Sequence, residues 1–558
     1  MRRYYFIKPI LEWAFFGIFF VLALIAFATS KGAEPATDWQ GAGIEDVQTA
    51  DNDDIEAKVD EPLAIPQQDT VKKGIVWGKT NKAKEGTTEL EPKPADVPKA
   101  QPVLTAPKTA VQRSSVQHPV LPAPTPNGVA AKTAVTPSAE GKYLLKSSRK
   151  KGSTDLVETL LEVTGDVKQV ANDQKQTSNK MEVVAGFRYE ERIDKFSLTT
   201  DSLVSVRQYN LAKSKMKIGD RIKTPELDPE LQTIVCSLEK DKVSLFSPKG
   251  SLRGEQLLLI EDLPGNTLTL DRLLPNKEVA VGETWKITDS VLRSFISVDA
   301  VTESNVEAVL TAVADNMAMV EVIGDVSGVY LGAATEMSIR AKYQFDIAAK
   351  RINWLGLLIE ENRSIGHVGP GLDLVARLQV KISPNAEPQA LNDETLADIN
   401  TKPNTGVLKL KYDGGKAAWR FSHDRSWYVF QDDPQTTILR KLEKGELVAQ
   451  CNIADMGTVD VKTMTSIDKF QKDLIAGLGK NFGKVAAAEE HENKQGYKVY
   501  TVLIDGTVDD MSLRWIYNLM TDKVGRQSVV VFVVEADKLE QFGDADDVLL
   551  ETYRMGRK

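Results

Sequence analysis

The chain has 558 residues, a net charge of -9 and only two cysteines. Its length allows about two to four domains. The negative charge argues against a nucleic-acid footprint, which needs a clustered basic face, and two cysteines exclude a disulfide scaffold.

Residues 1–30 open with MRRYYFIKPILEW and continue as an apolar run from Trp13 to Thr29. Arg2, Arg3 and Lys8 precede the run, a layout shared by a membrane anchor and a signal segment. The run is short for a spanning helix and long for a signal core. Ala26-Phe27-Ala28 also fits a cleavage site, so both readings stand. One is a single-pass anchor with a cytoplasmic N-terminus; the other is a cleaved, secreted form. Either sends the bulk of the chain to a periplasmic or other extracytoplasmic compartment. No cysteine follows the run, which excludes a lipoprotein signal.

Residues 31–140 show neither helical nor strand periodicity. Prolines recur from Pro92 to Pro137, an acidic stretch runs from Asp51 to Glu61, and lysines follow from Lys72 to Lys84. Such a segment buries too little apolar surface to offset its ordering entropy. We read it as a disordered Pro/Ala/Lys-rich linker, which over about 100 residues averages roughly 55 Å end to end. The phrase LPAPTP also suits polyproline II form, so a partner-binding tract is the other reading.

From 141 to 384 the pattern changes to period two. In TEMSIRAKYQFD, Met337, Ile339, Ala341, Tyr343 and Phe345 share one face and charged or polar residues the other. That is a half-buried antiparallel strand. MEVVAGFRYEER, VEAVLTAV, INWLGLLIEENR and LDLVARLQVKI repeat it, and SVLRSF (Ser290 to Phe295) reads as a short helix. Many such strands make a β-meander curved into a half-open barrel. Its concave face is filled by its own side chains or holds a hydrophobic ligand.

After a linker at 385–404, residues 405–558 alternate α and β. VLKLKY (Val407 to Tyr412) reads as a strand, and WRFSHDRSWYVF as a hairpin turning at SHDRS. TTILRKLEKGELVAQCNI reads as a strand pair around Lys444-Gly445. A helix follows with Thr465 as cap and Asp468 completing a capping box. Its apolar face is Ile467, Phe470, Leu474, Ile475, Leu478 and Phe482, and Gly483 ends it. KVYTVLID, RWIYNLMT and SVVVFVVE are strands, the last apolar throughout as a strand covered on both faces should be. Asp544 opens a closing helix with Ala545, Val548, Leu549 and Tyr553 inward.

Residues able to do chemistry are few. Cys451 lies in LVAQCNIADM, where alternation puts Leu447, Ala449, Cys451 and Ile453 on one face, toward the helix after Thr465. Burial there disfavours the thiolate, so the expected role is a small core hydrophobe, not a nucleophile. Cys236 falls in the other half of the chain. Glu190 and Glu191 in YEER face opposite ways and read as a solvated strand end. Arg149, Lys150 and Lys151 in SSRKKGS read as a solvated turn. GHVGPG (Gly366 to Gly371), with His367, lacks the strand-to-helix context of a phosphate cradle. His423, Asp424 and Arg425 read as a polar turn. Glu489, Glu490, His491 and Glu492 have no second histidine at a ligand spacing and read as a surface strand end. No hydrolase, zinc-protease, redox or phosphate-loop motif occurs, so no catalytic, cofactor or metal residue is assigned.

LVAQCNIADM, IDKFQKDLIAGLGKNF, LRWIYNLMTDKVGRQSVVVFVVE and LEQFGDADDVLLETY together resemble the PsbP-like α/β/α sandwich. That fold is shared by an extrinsic photosystem II protein and a nuclear-transport GTPase-binding factor. The resemblance covers residues 405–558 and implies protein binding or scaffolding. By strand pattern alone, the β-rich half is similar to lipoprotein-carrier half-barrels, in which a curved sheet binds acyl chains. The sequence therefore leads us to expect a membrane-anchored, exported, non-catalytic binding or scaffolding protein with a protein partner in the cell envelope. A hydrophobic-ligand carrier or sensor is the alternative, and an enzyme of unknown class the third reading.

Overall fold

The computed structural model describes residues 141–556 apart from 171–175, 198–201, 240–241, 262, 415–418 and 434–435. The anchor or signal expected at 1–30 and the linker expected at 31–140 lie outside the described residues. Within them, no helix is long and apolar enough to cross a membrane. They are mostly β-strand, with few and short helices.

Strand β1 (Lys142–Leu144) precedes three long strands, β2 (Thr154–Val170), β3 (Gln176–Ser197) and β4 (Ser202–Ile218). Short strands β5 (Arg221–Lys223), β6 (Thr233–Glu239) and β7 (Lys242–Phe246) complete a first run. Helices at Gly254–Glu261 and Asp289–Phe295 follow, with β8 (Glu278–Ala280) and β9 (Thr284–Lys286) between them. A second run comprises β10 (Ala300–Ser304), β11 (Glu307–Ala314), β12 (Met317–Tyr330), β13 (Ala333–Asp346), β14 (Arg351–Arg363) and β15 (Gly371–Pro384). The main sheet has the order β7-β6-β4-β3-β2-β15-β14-β13-β12-β11-β9, with β5 beside β4 and β10 beside β12. One continuous meander is thus corrected to two. The last strand of the second, β15, returns to pair along its full length with Asp155 to Lys168 of β2, the first long strand.

Period-two patterning gives this sheet its inner face. Met337, Ile339, Ala341, Tyr343 and Phe345 of β13 are all buried, as expected. One apolar cluster joins them to Phe187 of β3 and Ile234 of β6. Strands so far apart in the order share one core only if the sheet curves. The hollow is filled by the chain itself. Leu252, Leu257, Ile260, Leu268, Leu270, Leu273, Leu292 and Phe295, from the crossover between the two runs, are buried in the same cluster. Gly265 lets this plug approach the sheet. Its φ is +71°, and a Cβ there would stand 2.8 Å from Leu378 Cδ2.

The segment at 385–404 is a docked strap. Leu391 is fully buried beside Val206, Val235 and Phe246, and Asn392 caps the short helix Asp393–Ala397 by accepting from the Thr395 amide. The expected strand at Val407–Tyr412 starts later: Thr405–Leu408 is a helical turn capped by Asn404, and β16 is Leu410–Asp413. Next come β17 (Trp419–His423), β18 (Trp427–Asp433), β19 (Thr436–Glu443) and β20 (Glu446–Thr458). A helix at Ile467–Leu478 precedes β21 (Phe482–Glu492), β22 (Lys498–Val508), β23 (Met511–Thr521) and β24 (Arg526–Glu535). Helices at Leu539–Phe542 and Ala545–Leu550 and the short β25 (Arg554–Met555) close the chain. A seven-stranded antiparallel sheet has the order β18-β19-β20-β24-β23-β22-β21, and β16-β17-β25 form a small second sheet.

The SHDRS hairpin is therefore corrected: its two strands belong to different sheets. The cap of the helix is Ser466, whose hydroxyl accepts from the Lys469 amide, and Gly479, at φ +54°, ends it, four residues before Gly483. Phe482 already lies in β21. Leu474 and Leu478 cover one face of the large sheet with Val502, Ile504, Trp515 and Val531. The other face, with Cys451, Ile516, Val530 and Phe532, packs against Phe542, Leu549 and Tyr553. Strand β24 is buried from Gln527 to Val534, as a strand covered on both faces must be.

The two halves touch through hairpin tips. Gly332 and Gly445 have φ of +78° and +83°, and a Cβ on Gly332 would stand 2.1 Å from the Gly445 carbonyl oxygen. Only glycine permits that approach.

Candidate functional site

The densest chemistry lies inside the β-rich half, where the plug meets the long strands. Alternation along β3 sends Glu191 inward, where it is fully buried, and pairs it across the sheet with Arg207 of β4. Arg207 Nε lies 2.8 Å from Glu191 Oε1, and the Ser205 hydroxyl donates to the same oxygen at 2.8 Å. Arg149 reaches Glu191 Oε2 at 3.1 Å, Asp155 at 3.4 Å and Asp271 at 3.5 Å. Arg351 meets Asp155 at 2.6 Å. Three guanidiniums thus face three carboxyl groups.

Its ties to the plug are direct. Arg207 donates to Asn266 Oδ1 at 2.5 Å and to Thr267 Oγ1 at 3.1 Å. Arg149 donates to the Thr267 carbonyl at 2.8 Å. Tyr189 shares a hydrogen bond with Thr267, and the Arg207 guanidinium sits 5.0 Å from the Tyr189 ring centroid. Burial alone would raise the Glu191 carboxyl, but Arg207 and then Arg149 outweigh it and hold it at about 2. Burial opposes the Arg149 cation, yet Asp271, Glu191 and Asp155 push its pKa above the ordinary guanidinium value. Cys236 lies beside Asn266, and burial raises its thiol. Burial raises the Asp271 carboxyl against the pull of Arg149, and the cluster bolts the plug to the sheet. Its carboxylate is far too acidic to serve as a base near neutral pH.

Two expectations are overturned here. YEER is not a solvated strand end. Glu190, on the opposite face, accepts from the amides of Leu391 and Gln389 and from the Asn385 side chain. SSRKKGS is exposed at Ser148, Lys150, Lys151 and Gly152, but the Arg149 side chain between them turns inward to Glu191. The expectation followed local composition, and these partners lie far away in sequence.

Cys451 is fully buried, as its alternation predicts. Burial, then Asp546, push its thiol well above the ordinary value. Its facing is corrected: it packs with Trp427, Phe542, Leu549 and Tyr553, on the sheet face opposite the Ile467–Leu478 helix. His423 is buried and bonded through Nδ1 to the Asp424 carbonyl. Arg425 reaches away, to the carbonyls of Leu408 and Leu245, so the trio does not converge. GHVGPG is the β14–β15 loop, closed by Gly366 N–H donating to the Gly369 carbonyl at 2.8 Å. Glu489, Glu490, His491 and Glu492 are exposed at the end of β21, as read. Among the described residues, no three His, Cys, Asp or Glu side chains are grouped to hold a metal.

No family model and no curated protein matches this chain. Among solved structures, cyanobacterial PsbP (CyanoP) from Synechocystis sp. PCC 6803 is 15% identical, with 28% of this chain and 96% of that chain covered and a TM-score of 0.22. PA94 from Pseudomonas aeruginosa, described as a protein of unknown function and putative regulator, is 11% identical, with 27% and 98% covered and a TM-score of 0.20. OccK2 (OpdF) from the same organism is 7% identical, with 69% and 100% covered and a TM-score of 0.11. Scores this low leave the architecture to be argued from the chain's own sheets.

Proposed function

We propose that this chain is a non-catalytic binding and scaffolding protein, held at the cell envelope by its N-terminal segment and exported from there on. We also read residues 405–558 as PsbP-like, on the strength of a seven-stranded sheet with helices on both faces. The observation that carries the functional reading is where the reactive side chains go. Cys236, Cys451, His423 and Glu191 are all core residues, held in packing or ion pairs. That leaves the outer surface to interact with other molecules. Tethering would raise the effective concentration toward partners in the same compartment.

Membrane fractionation with cross-linking in the native envelope tests this. The expected result is a membrane-bound chain cross-linked to a protein partner. A soluble chain beginning at Thr29, with no cross-linked partner, would overturn it. The carrier reading requires the buried leucines of the plug to leave the inner face. Native mass spectrometry with lipid extraction should therefore find a well-folded chain free of lipid.

A further inference from the structure

Strand β21 ends the seven-stranded sheet and pairs only with β22. It runs eleven residues, Phe482 to Glu492. Other sheet edges among the described residues are short or taken. On β7 the Leu245 carbonyl accepts from Arg425 at 2.7 Å. Strand β18 lies in the seam between the halves, where Phe430 is buried beside Val368. Strands β9 and β16 run three and four residues.

The start of β21 is anchored, because Phe482 and Val485 pack with the Ile467–Leu478 helix against the sheet. Register shifts follow Phe482 and Val485. From Ala487 to Glu492 the ladder is regular, and every one of those residues is exposed. The direction of the free amides follows from the turn. The Asn493 amide donates to the Tyr497 carbonyl at 3.0 Å, and alternate residues of an antiparallel strand point their amides the same way. Those of Glu489 and His491 therefore face β22, and those of Ala488, Glu490 and Glu492 face outward.

An open edge of this kind is a template for an added strand, and its charge selects which. Alternation puts Glu489 on one face and Glu490 and Glu492 on the other. Among the described residues only Glu490 of the three has a lysine ion pair, with Lys498 at 2.7 Å. Antiparallel pairing of two copies over 487–492 would set each Glu489 against the other copy's Glu490, and like charges directly opposite destabilise a sheet. We propose that β21 docks an extended, lysine- or arginine-bearing segment of a protein partner, which adds to the sheet as a further strand. The inference rests on the binding and scaffolding reading and names the partner's chemistry.

Fluorescence anisotropy on the full chain tests this, with a labelled peptide of alternating lysine and threonine. The peptide should bind, and the same peptide with every amide N-methylated, equal in charge, should not. Ala488→Pro takes away an outward donor and no bond of the β21–β22 ladder. It should weaken binding by about tenfold or more, the cost of leaving one hydrogen-bond partner unpaired. Glu489→Gln, Glu490→Gln and Glu492→Gln together should weaken it and flatten its salt dependence. No binding, equal binding of the N-methylated peptide, or affinity unmoved by these substitutions would each overturn the proposal, as would self-association that Ala488→Pro abolishes. A partner cross-linked in the native envelope as well by the Ala488→Pro chain as by the wild type would overturn the edge and leave the scaffolding reading standing.

Discussion

Replacing Arg207 by Met would leave the buried Glu191 carboxylate with one guanidinium where it now has two. Breaking a buried pair from one side costs about 3–5 kcal/mol, which should appear as a lower urea midpoint with an unchanged slope. The same residue sets an acid limit. Because its folded pKa is depressed to about 2, Glu191 adds stability that is complete above the ordinary glutamate range and disappears as pH falls through that value. Glu191→Gln should therefore flatten the acid-unfolding curve in that window. The thiols give a second check. Neither Cys236 nor Cys451 should react with a thiol reagent in the folded chain, and both should react in denaturant; rapid native labelling of Cys451 would disprove its core role. Cys451 was legible because strand alternation places a side chain without knowledge of its partner. Glu191 and Arg149 were not, since a charged residue reads as solvated until the distant opposite charges that neutralise it are known.

At the scale of elements, the glycine tips offer the sharpest test. Gly332→Ala puts a methyl group 2.1 Å from the Gly445 carbonyl, at a positive φ that alanine resists. We expect a loss of about 1–3 kcal/mol, measured by thermal unfolding. Retained stability would mean the tips are not in contact. The strand TEMSIRAKYQFD was readable because its alternation is strict and one face is wet. Val407–Tyr412 misled because its apparent alternation runs through a turn that Asn404 caps. At the helix start, Thr465 and Ser466 are equivalent in composition; the hydroxyl one residue later has the geometry to accept from Lys469. The SHDRS turn was readable as a turn, but local sequence does not say that its arms join different sheets.

For the whole molecule, the pairing of β2 with β15 and the seam at Val368 predict linked unfolding. Residues 405–558 alone would expose Phe430, Ile438 and Leu442 and leave Arg440 without the His367 carbonyl. That fragment should melt below the temperature of the full chain by calorimetry; an equal value would show the halves to be independent. The closure of β15 on β2 was invisible in sequence, because more than 200 residues separate strands whose patterns carry no address. The Arg149 cluster has a mechanical consequence as well. Any tension arriving from the first 140 residues enters at Gly141 and meets the three-residue pairing of β1 with β8. Behind it stands Arg149, gripping Asp155, Glu191 and Asp271 at once. The ion cluster is therefore the point where a pull on the leading segment is handed to the long strands, and its failure would release the plug.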